Sequence, residues 1–408
     1  MKKYGLLGEH LAHSYSPQIH SMLADYEYKL FEKPPNVVED FLHHGVFDGL
    51  NVTIPYKKTV IEFCETLSDA ATKLGSVNTI IRRPDGTLHG DNTDYFGFVY
   101  MLKKSGVDTL EKKALVLGSG GASATVRAVL QDSGAREVVT ISRAGKDNYE
   151  NIAKYSDADI IVNTTPVGMY PENGQSPIGL DAFTSCEAVL DIVYNPAKTE
   201  LMLCAEDREI PCAGGLSMLV AQAKRAAELF TGEDIPDDAV EAITQKLEIQ
   251  SKNIVLIGMP GCGKSSVGRR LAGLCGREFY DTDELVVQKA NKSIESIFSD
   301  DGEDVFRDLE QEALNDVAKK SGCVIATGGG IVKRARNRRY LRQNSVTVFI
   351  DRPVGELSSA GRPLSLAHGV VALYNERLPL YIEWSDYRVA SGNGVYKTAI
   401  AVKEALAL

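Results

Sequence analysis

A chain of 408 residues, 44% apolar and 25% charged, exceeds what one hydrophobic core usually organises and predicts a soluble protein of two or three domains. Its net charge of −10 argues against nucleic acid as the main partner, so anionic ligands have to be met by local basic clusters. Seven cysteines with no C-x-x-C pair give no sign of a zinc site and suit a reducing cytoplasm, while no apolar run approaches the ~20 residues of a membrane span or the core of a signal peptide.

Residues 4–8 read as a first strand, and Ser16-Pro17 opens a helix predicted to run to Tyr26. Strands follow at 50–54 and 76–82, and Pro84-Asp85-Gly86 turns the chain into a short run at 88–90. A helix over 93–104 leads to Ala114-Leu115-Val116-Leu117, an unbroken apolar run typical of a strand buried on both faces. Gly118-Ser119-Gly120-Gly121-Ala122-Ser123 and a helix to Asp132 come next, then strands at 137–143, 159–163 and 188–194 alternating with helices. This is the βαβ rhythm of a Rossmann-like nucleotide-binding domain. Helices are predicted at 215–230 and 237–248, and a polar linker at 249–252 separates this half from a second domain. There is no internal repeat.

The glycine loop at Gly118, Gly120, Gly121 and Ala122 lets backbone N–H groups meet a pyrophosphate at a helix N-terminus. A NAD-binding domain usually ends its next strand with an acid that accepts from the ribose 2′-hydroxyl. Here Ile141 is followed by Ser142 and Arg143, and a cation at that place favours the 2′-phosphate of NADP.

The second domain opens with an apolar run at 253–257, then Gly258-Met259-Pro260-Gly261-Cys262-Gly263-Lys264-Ser265, then a helical pattern. Strand, glycine loop and helix in that order make a P-loop. Backbone N–H groups from Gly261, Cys262, Gly263 and Ser266 converge on phosphate, Lys264 reaches the β/γ-phosphates of ATP, and the Ser265 hydroxyl holds Mg²⁺. Asp281 and Asp283 sit on alternate positions at the end of the next predicted strand, which would point both carboxylates the same way. One near Mg²⁺ and one near an attacking hydroxyl suit phosphoryl transfer. Arg334, Arg336, Arg338 and Arg339 match no motif and read as a solvated helix face.

Across the first half, His13-Ser14-Tyr15-Ser16-Pro17, Asn51-Val52-Thr53-Ile54-Pro55-Tyr56-Lys57, Val77-Asn78-Thr79, Gly90-Asp91-Asn92-Thr93-Asp94, Asn163-Thr164-Thr165-Pro166-Val167-Gly168-Met169 and Met218-Leu219-Val220-Ala221-Gln222 resemble shikimate dehydrogenase. The resemblance implies reduction of 3-dehydroshikimate by NADPH. It assigns Ser14 and Ser16 to the substrate carboxylate and Thr53, Asn78, Asp94, Tyr194 and Gln222 to the rest of the substrate. Lys57 becomes the proton donor oriented by Asp94, and Asp69, Ile192 and Gly215 become cofactor contacts.

In the second half, the P-loop, Phe279-Tyr280-Asp281-Thr282-Asp283, Gly302-Glu303-Asp304-Val305-Phe306-Arg307, Thr327-Gly328-Gly329-Gly330, Gly361-Arg362-Pro363-Leu364 and Glu376-Arg377-Leu378-Pro379-Leu380-Tyr381 resemble shikimate kinase. That resemblance gives Asp283 the substrate hydroxyls, Asp281 the metal with Ser265, Arg307 and Arg377 the carboxylate, Gly329 a close backbone approach, and Arg362 the phosphates from a lid.

The expected organisation is α/β throughout. A dehydrogenase-like 1–249 has a substrate part at 1–105 plus the helices of 215–249 and an NADP part at 106–214; a P-loop kinase-like domain at 252–408 has a parallel sheet. Joined, the halves imply a cytoplasmic two-activity enzyme of aromatic amino-acid biosynthesis, with NADP(H), ATP and Mg²⁺ as cofactors and 3-dehydroshikimate and shikimate as substrates. Two rivals stand beside it: a quinate/shikimate dehydrogenase using NAD, and a nucleotide-sensing regulator without turnover. The oligomeric state is left open.

Overall fold

Sixteen strands form three sheets in the computed structural model of residues 2–11, 14–357, 369–392 and 394–408, most of them carrying an alternating or continuous apolar pattern. The chain divides into two units, Met1–Met169 with Gln175–Lys246, and Tyr170–Gly174 with Leu247–Leu408.

The first unit holds two sheets. In the first, β1 (Lys3–Gly8), β2 (Glu27–Glu32), β3 (Gly49–Val52), β4 (Thr66–Leu67), β5 (Thr79–Arg82) and β6 (Leu88–Asp91) lie in the order β2-β1-β3-β5-β6-β4. Leu7, Leu50, Val52, Val77 and Ile80 form its core. The helix expected to reach Tyr26 stops at Leu23, and β2, which carries no strong apolar pattern, follows it. Partly exposed along its length, β2 is held by parallel pairing to β1 rather than by burial.

The second sheet contains β7 (Lys113–Leu117), β8 (Glu137–Ile141), β9 (Ile160–Asn163), β10 (Ala188–Asp191) and β11 (Cys212–Gly214). All are parallel, in the order β11-β10-β9-β7-β8. The chain steps from β7 to β8 on one side and then to β9 on the other, so the crevice between β7 and β9 is the switch point where such sheets bind ligands. One rung crosses the carboxyl ends of all five strands: Gly214, Asp191, Asn163, Leu117 and Ile141. The helices Thr93–Ser105 and Leu216–Thr231 bury Phe98, Met101 and Met218 with Val116 and Val162 of this sheet.

The second unit is built on β12 (Asn253–Ile257), β13 (Phe279–Asp281), β14 (Val324–Ala326), β15 (Ser345–Asp351) and β16 (Tyr387–Ala390), all parallel, in the order β13-β14-β12-β15-β16. Successive side chains of β12 alternate between two cores: Val255 and Ile257 pack with Phe349 and Tyr381, Ile254 and Leu256 with Val348 and Ile350. Full burial of such a side chain contributes about 1.5–3 kcal/mol, so this central strand anchors the loop that follows it.

Further local expectations change: the strands expected at 50–54, 76–82 and 188–194 are Gly49–Val52, Thr79–Arg82 and Ala188–Asp191. The helix from Asp237 runs on to Ser251, so residues 249–251 are helical rather than an extended linker. The strand predicted to reach Arg143 ends at Ile141. Asp281 and Asp283 are not two positions of one strand: Asp281 ends β13 and caps the helix Thr282–Ala290, its carboxylate accepting from the Asp283 N–H at 2.9 Å. An aspartate there satisfies a helix-end donor and turns the chain out of the strand. Among the described residues no helix is long and apolar enough to cross a membrane, and all seven cysteines are free thiols.

Candidate active sites

In the first unit, the ends of β1 and β3 and the helices Ser16–Leu23, Thr93–Ser105 and Leu216–Thr231 surround a cavity of about 150 Å³. Ser14, Ser16, Thr53, Lys57, Asn78, Asp94, Tyr194 and Gln222, all expected there, line it. Lys57 leaves the turn after β3, and its Nζ lies 2.6 Å from Asp94 Oδ2. Asp94 stands in the first turn of its helix, whose cap is the Asn92 side chain, so its carboxylate is left for Lys57. Asn78 is buried; its Oδ1 accepts from Thr93 N at 2.7 Å and its Nδ2 donates to Gln222 Oε1 at 3.4 Å, joining the sheet to the long helix. Hydroxyl and amide groups on one wall and an ammonium–carboxylate pair on another suit a small polyhydroxylated anion with a reacting oxygen beside Lys57.

Motif reasoning missed His20, which also lines this cavity. Its ring stacks on Tyr28 at 4.0 Å, and burial pushes its pKa down to about 3. A histidine held neutral in this way is a packing wall, not the proton donor. The pattern Ile19-His20 on a short helix marks it only as buried.

The cofactor residues follow the rung at the carboxyl ends of the parallel sheet. One position past it stand Gly215, Ile192, Thr164, Gly118 and Ser142. Four of these were expected; Thr164 had been seen only as part of a motif. Gly118 has φ 107, and a Cβ there would lie 2.8 Å from Thr164 Oγ1, so only glycine lets the loop sit against β9. Gly120 and Gly121 have open space where a Cβ would be, and the helix Gly121–Asp132, which contains Ala122, has no side-chain cap. Its free backbone donors form an anion cradle that fits a pyrophosphate. Arg143 is exposed beyond β8 and hydrogen-bonded to no other described residue, free to meet a phosphate. Asp69 opens the helix Asp69–Leu74 and does not line the substrate cavity.

The second unit has a cavity of about 290 Å³ over the P-loop. Gly261 and Gly263 adopt φ 84 and 96, which turn their N–H groups inward, and no side chain caps the helix Lys264–Cys275 that they begin. Ser265 and Ser266 line the cavity, while Cys262 is buried beneath it. Lys264 Nζ donates to the carbonyls of Gly258 and Met259 at 2.9 and 3.0 Å, which folds it over its own loop.

Asp283, Arg307, Arg377 and Gly329 line the same cavity. Arg307 is paired with Glu310 at 2.7 Å and Glu303 at 3.0 Å. Arg377 is buried; its Nη1 donates to Gly329 O at 3.1 Å, and its Nε and Nη2 have no partner among the described residues. Unpaired buried guanidinium donors call for an anion. Asp283 Oδ1 is likewise buried without a partner, and its pKa is pushed up to about 7. Burial is the main cause, Glu310 and Asp281 add to it, and Lys264 and Arg307 oppose it. Glu310 was missed by motif reasoning; its signal was the i,i+3 spacing from Arg307 on one helix face. Asp281 spends one oxygen on its cap and does not line the cavity. Arg362 lies outside the described residues. Arg334 and Arg338, read as solvated, pair with Asp308 and Glu383.

Comparison with known proteins agrees with this division. Residues 6–80 match the model of the shikimate dehydrogenase substrate binding domain, 215–245 that of the shikimate 5'-dehydrogenase C-terminal domain, and 260–406 that of shikimate kinase. A protein named shikimate dehydrogenase (NADP(+)) from Clostridium beijerinckii is 37% identical over 250 residues, covering 56% of this chain and 92% of that one. Among solved structures, a chorismate mutase/shikimate 5-dehydrogenase fusion protein from Clostridium acetobutylicum aligns with TM-score 0.58 and 34% identity, over 61% of this chain and 97% of that one. Shikimate 5-dehydrogenase from Thermus thermophilus, in complex with NADP(H) and shikimate, aligns with TM-score 0.55 and 29% identity, over 60% and 99%. The chain therefore belongs to the shikimate dehydrogenase family in its first unit and continues into a shikimate kinase domain, a dehydrogenase–kinase fusion.

Proposed function

We propose that the first unit reduces 3-dehydroshikimate to shikimate with NADPH and that the second phosphorylates shikimate at its 3-hydroxyl with ATP and Mg²⁺, in the cytoplasm. The observation that carries the first step is the 2.6 Å Lys57–Asp94 pair in a cavity of hydroxyl and amide donors. NADPH supplies the hydride. Ser14 and Ser16 hold the substrate carboxylate, while Thr53, Asn78, Tyr194 and Gln222 orient the ring. As the carbonyl oxygen gains negative charge, Lys57 donates its proton to it, and Asp94 fixes the ammonium in place. Gly118, Gly120, Gly121 and Ala122 cradle the pyrophosphate, Ser142 and Arg143 take the 2′-phosphate, and Ile192 and Gly215 bound the nicotinamide end. Asp69 is assigned to the cofactor by the resemblance alone.

In the second unit ATP supplies the phosphoryl group. Gly261, Cys262, Gly263, Lys264 and Ser266 hold its phosphates, and Ser265 offers a hard oxygen donor suited to Mg²⁺, while Asp281, which does not line the cavity, is assigned to the metal by its motif alone. Arg377 and Arg307 take the shikimate carboxylate. Asp283, once ionised, accepts the proton of the attacking hydroxyl, and Gly329 brings backbone close to the substrate. Arg362 is assigned to the phosphates by its motif alone.

A quinate/shikimate enzyme using NAD would want an acid after β8, where Arg143 stands. A regulator without turnover would not need Lys57, Asp94, Lys264 and Asp283 all in place. The test is to incubate the purified chain with 3-dehydroshikimate and NADPH, with and without ATP, and to identify products by mass spectrometry. Shikimate is expected without ATP and shikimate 3-phosphate with it; failure to form either overturns the corresponding half.

A further inference from the structure

Asp191, at the end of β10, has no exposed surface, yet its hydrogen-bond partners are all neutral. Its Oδ1 accepts from Asn163 Nδ2 and from Val193 N, both at 3.0 Å, and its Oδ2 accepts from Thr199 Oγ1 at 2.7 Å. Burying a carboxylate without a cation is costly and persists only where the surroundings hold it. Burial pushes its pKa up to about 6, while the donors from Thr199, Val193 and Asn163 pull the other way.

Two of these donors, Asn163 and Val193, lead to different parts of the reductase site, and the third, Thr199, leads to a helix cap. Asn163 is itself fully buried; its Oδ1 accepts from Thr165 N at 3.0 Å and from Thr165 Oγ1 at 2.7 Å, and Thr165 Oγ1 accepts from Val167 N at 3.2 Å. That ties down the loop whose Thr164 and Thr165 side chains face Gly118 of the dinucleotide loop. Val193 is held on its other side by Gly215 N, which donates to Val193 O at 3.0 Å, and the next residue is Tyr194 of the substrate cavity. Thr199 caps the helix Glu200–Glu206.

We propose that Asp191 is a positioning residue of the reductase: through Asn163 it sets the 164–167 loop against the cofactor's glycine loop, and through Val193 it sets Tyr194 against the substrate. One carboxylate thus holds the cofactor face and the substrate wall in mutual register, without touching either ligand. The inference rests on the reductase reading above. Hydride transfer is the step most sensitive to such register, because it needs two bound molecules at one distance.

Asp191→Asn tests it. The amide keeps the shape but has a single acceptor oxygen: with that oxygen towards Asn163 Nδ2 and Val193 N, its Nδ2 faces Thr199 Oγ1, whose proton must then turn elsewhere, and in the reverse orientation it faces two groups that only donate. Single-turnover hydride transfer is expected to fall about 10- to 100-fold, the scale of roughly 1 Å of misplacement. NADPH affinity, read from nucleotide fluorescence, should change far less, and phosphorylation of added shikimate by the same protein should be unchanged. Thr199→Val should show the same split more weakly, and Thr199→Ser should restore the wild-type rate. Unimpaired hydride transfer in Asp191→Asn, with an active wild type, overturns this inference alone. Loss of NADPH affinity in step with the rate, or a Thr199→Ser variant as slow as Thr199→Val, also overturns it by reducing the network to a structural role. A wild type that reduces nothing overturns the reductase reading, and this inference with it.

Discussion

The charge on Asp283 should set the pH dependence of phosphoryl transfer. Its carboxylate is buried, one oxygen is unpartnered, and its pKa is pushed up to about 7, chiefly by burial and then by Glu310 and Asp281 against Lys264 and Arg307. Only the ionised form can accept the hydroxyl proton. For a group titrating at about 7, the ionised fraction grows about tenfold between pH ~6 and ~8 and little above that. Kinase kcat/KM at low ATP and shikimate, where the free enzyme is titrated, should rise by that factor and then level. Asp283→Asn should lower it by about 10²–10⁴ and abolish the acid limb. Stability carries the opposite sign. Between the ordinary carboxylate value of 3.8 and about 7, the folded state keeps a proton that the unfolded chain has lost, so stability falls as pH rises through that window. At pH ~8 the cost is fully present, and Asp283→Asn should therefore raise the Tm of the second unit there. A kinase profile flat between pH ~6 and ~8, or an Asp283→Asn protein less stable than wild type at pH ~8, would refute the reasoning.

The two activities should fail separately. Lys57→Met should cut reductase turnover about 10²–10⁴-fold and leave the kinase near normal, and Lys264→Ala should do the reverse; a folded variant of either kind that loses both refutes independent sites. Arg143→Ala should raise KM for NADPH much more than for NADH, because only NADPH carries the 2′-phosphate, and equal effects in steady-state assays would make Arg143 a bystander.

Much of the site was legible in the chain because it is written in short contiguous motifs whose backbone geometry is local. Gly118, Gly261 and Gly263 adopt positive φ that glycine alone tolerates easily, and Lys264 and Ser265 follow the last of these in the register a phosphate requires. Ser14, Lys57, Asn78, Asp94 and Gln222 could be named from their motifs, but nothing in those motifs gives the Lys57–Asp94 distance across 37 positions of chain. Periodicity failed at β2, whose sparse apolar pattern is compensated by pairing with β1, a partner that local propensity does not see. It failed again at Asp281, where a strand ends in a helix cap and the alternation that would have aligned two carboxylates stops.

Composition and motif order were enough to establish two α/β units, a dinucleotide loop followed by a cation, and a P-loop, because glycine conformation, apolar runs and local anion geometry are properties of neighbouring residues. The roles of Asp191, Asn163, Glu310 and His20 came only with the fold. Each is a polar side chain whose character is set by burial, and for Asp191, Asn163 and His20 also by partners from other strands or turns, which reach it when the sheets and helices close. The pKa of Asp283 is of the same kind: the residue can be read from the chain, but the low-dielectric surroundings and the neighbouring carboxylates that raise it exist only in the folded unit.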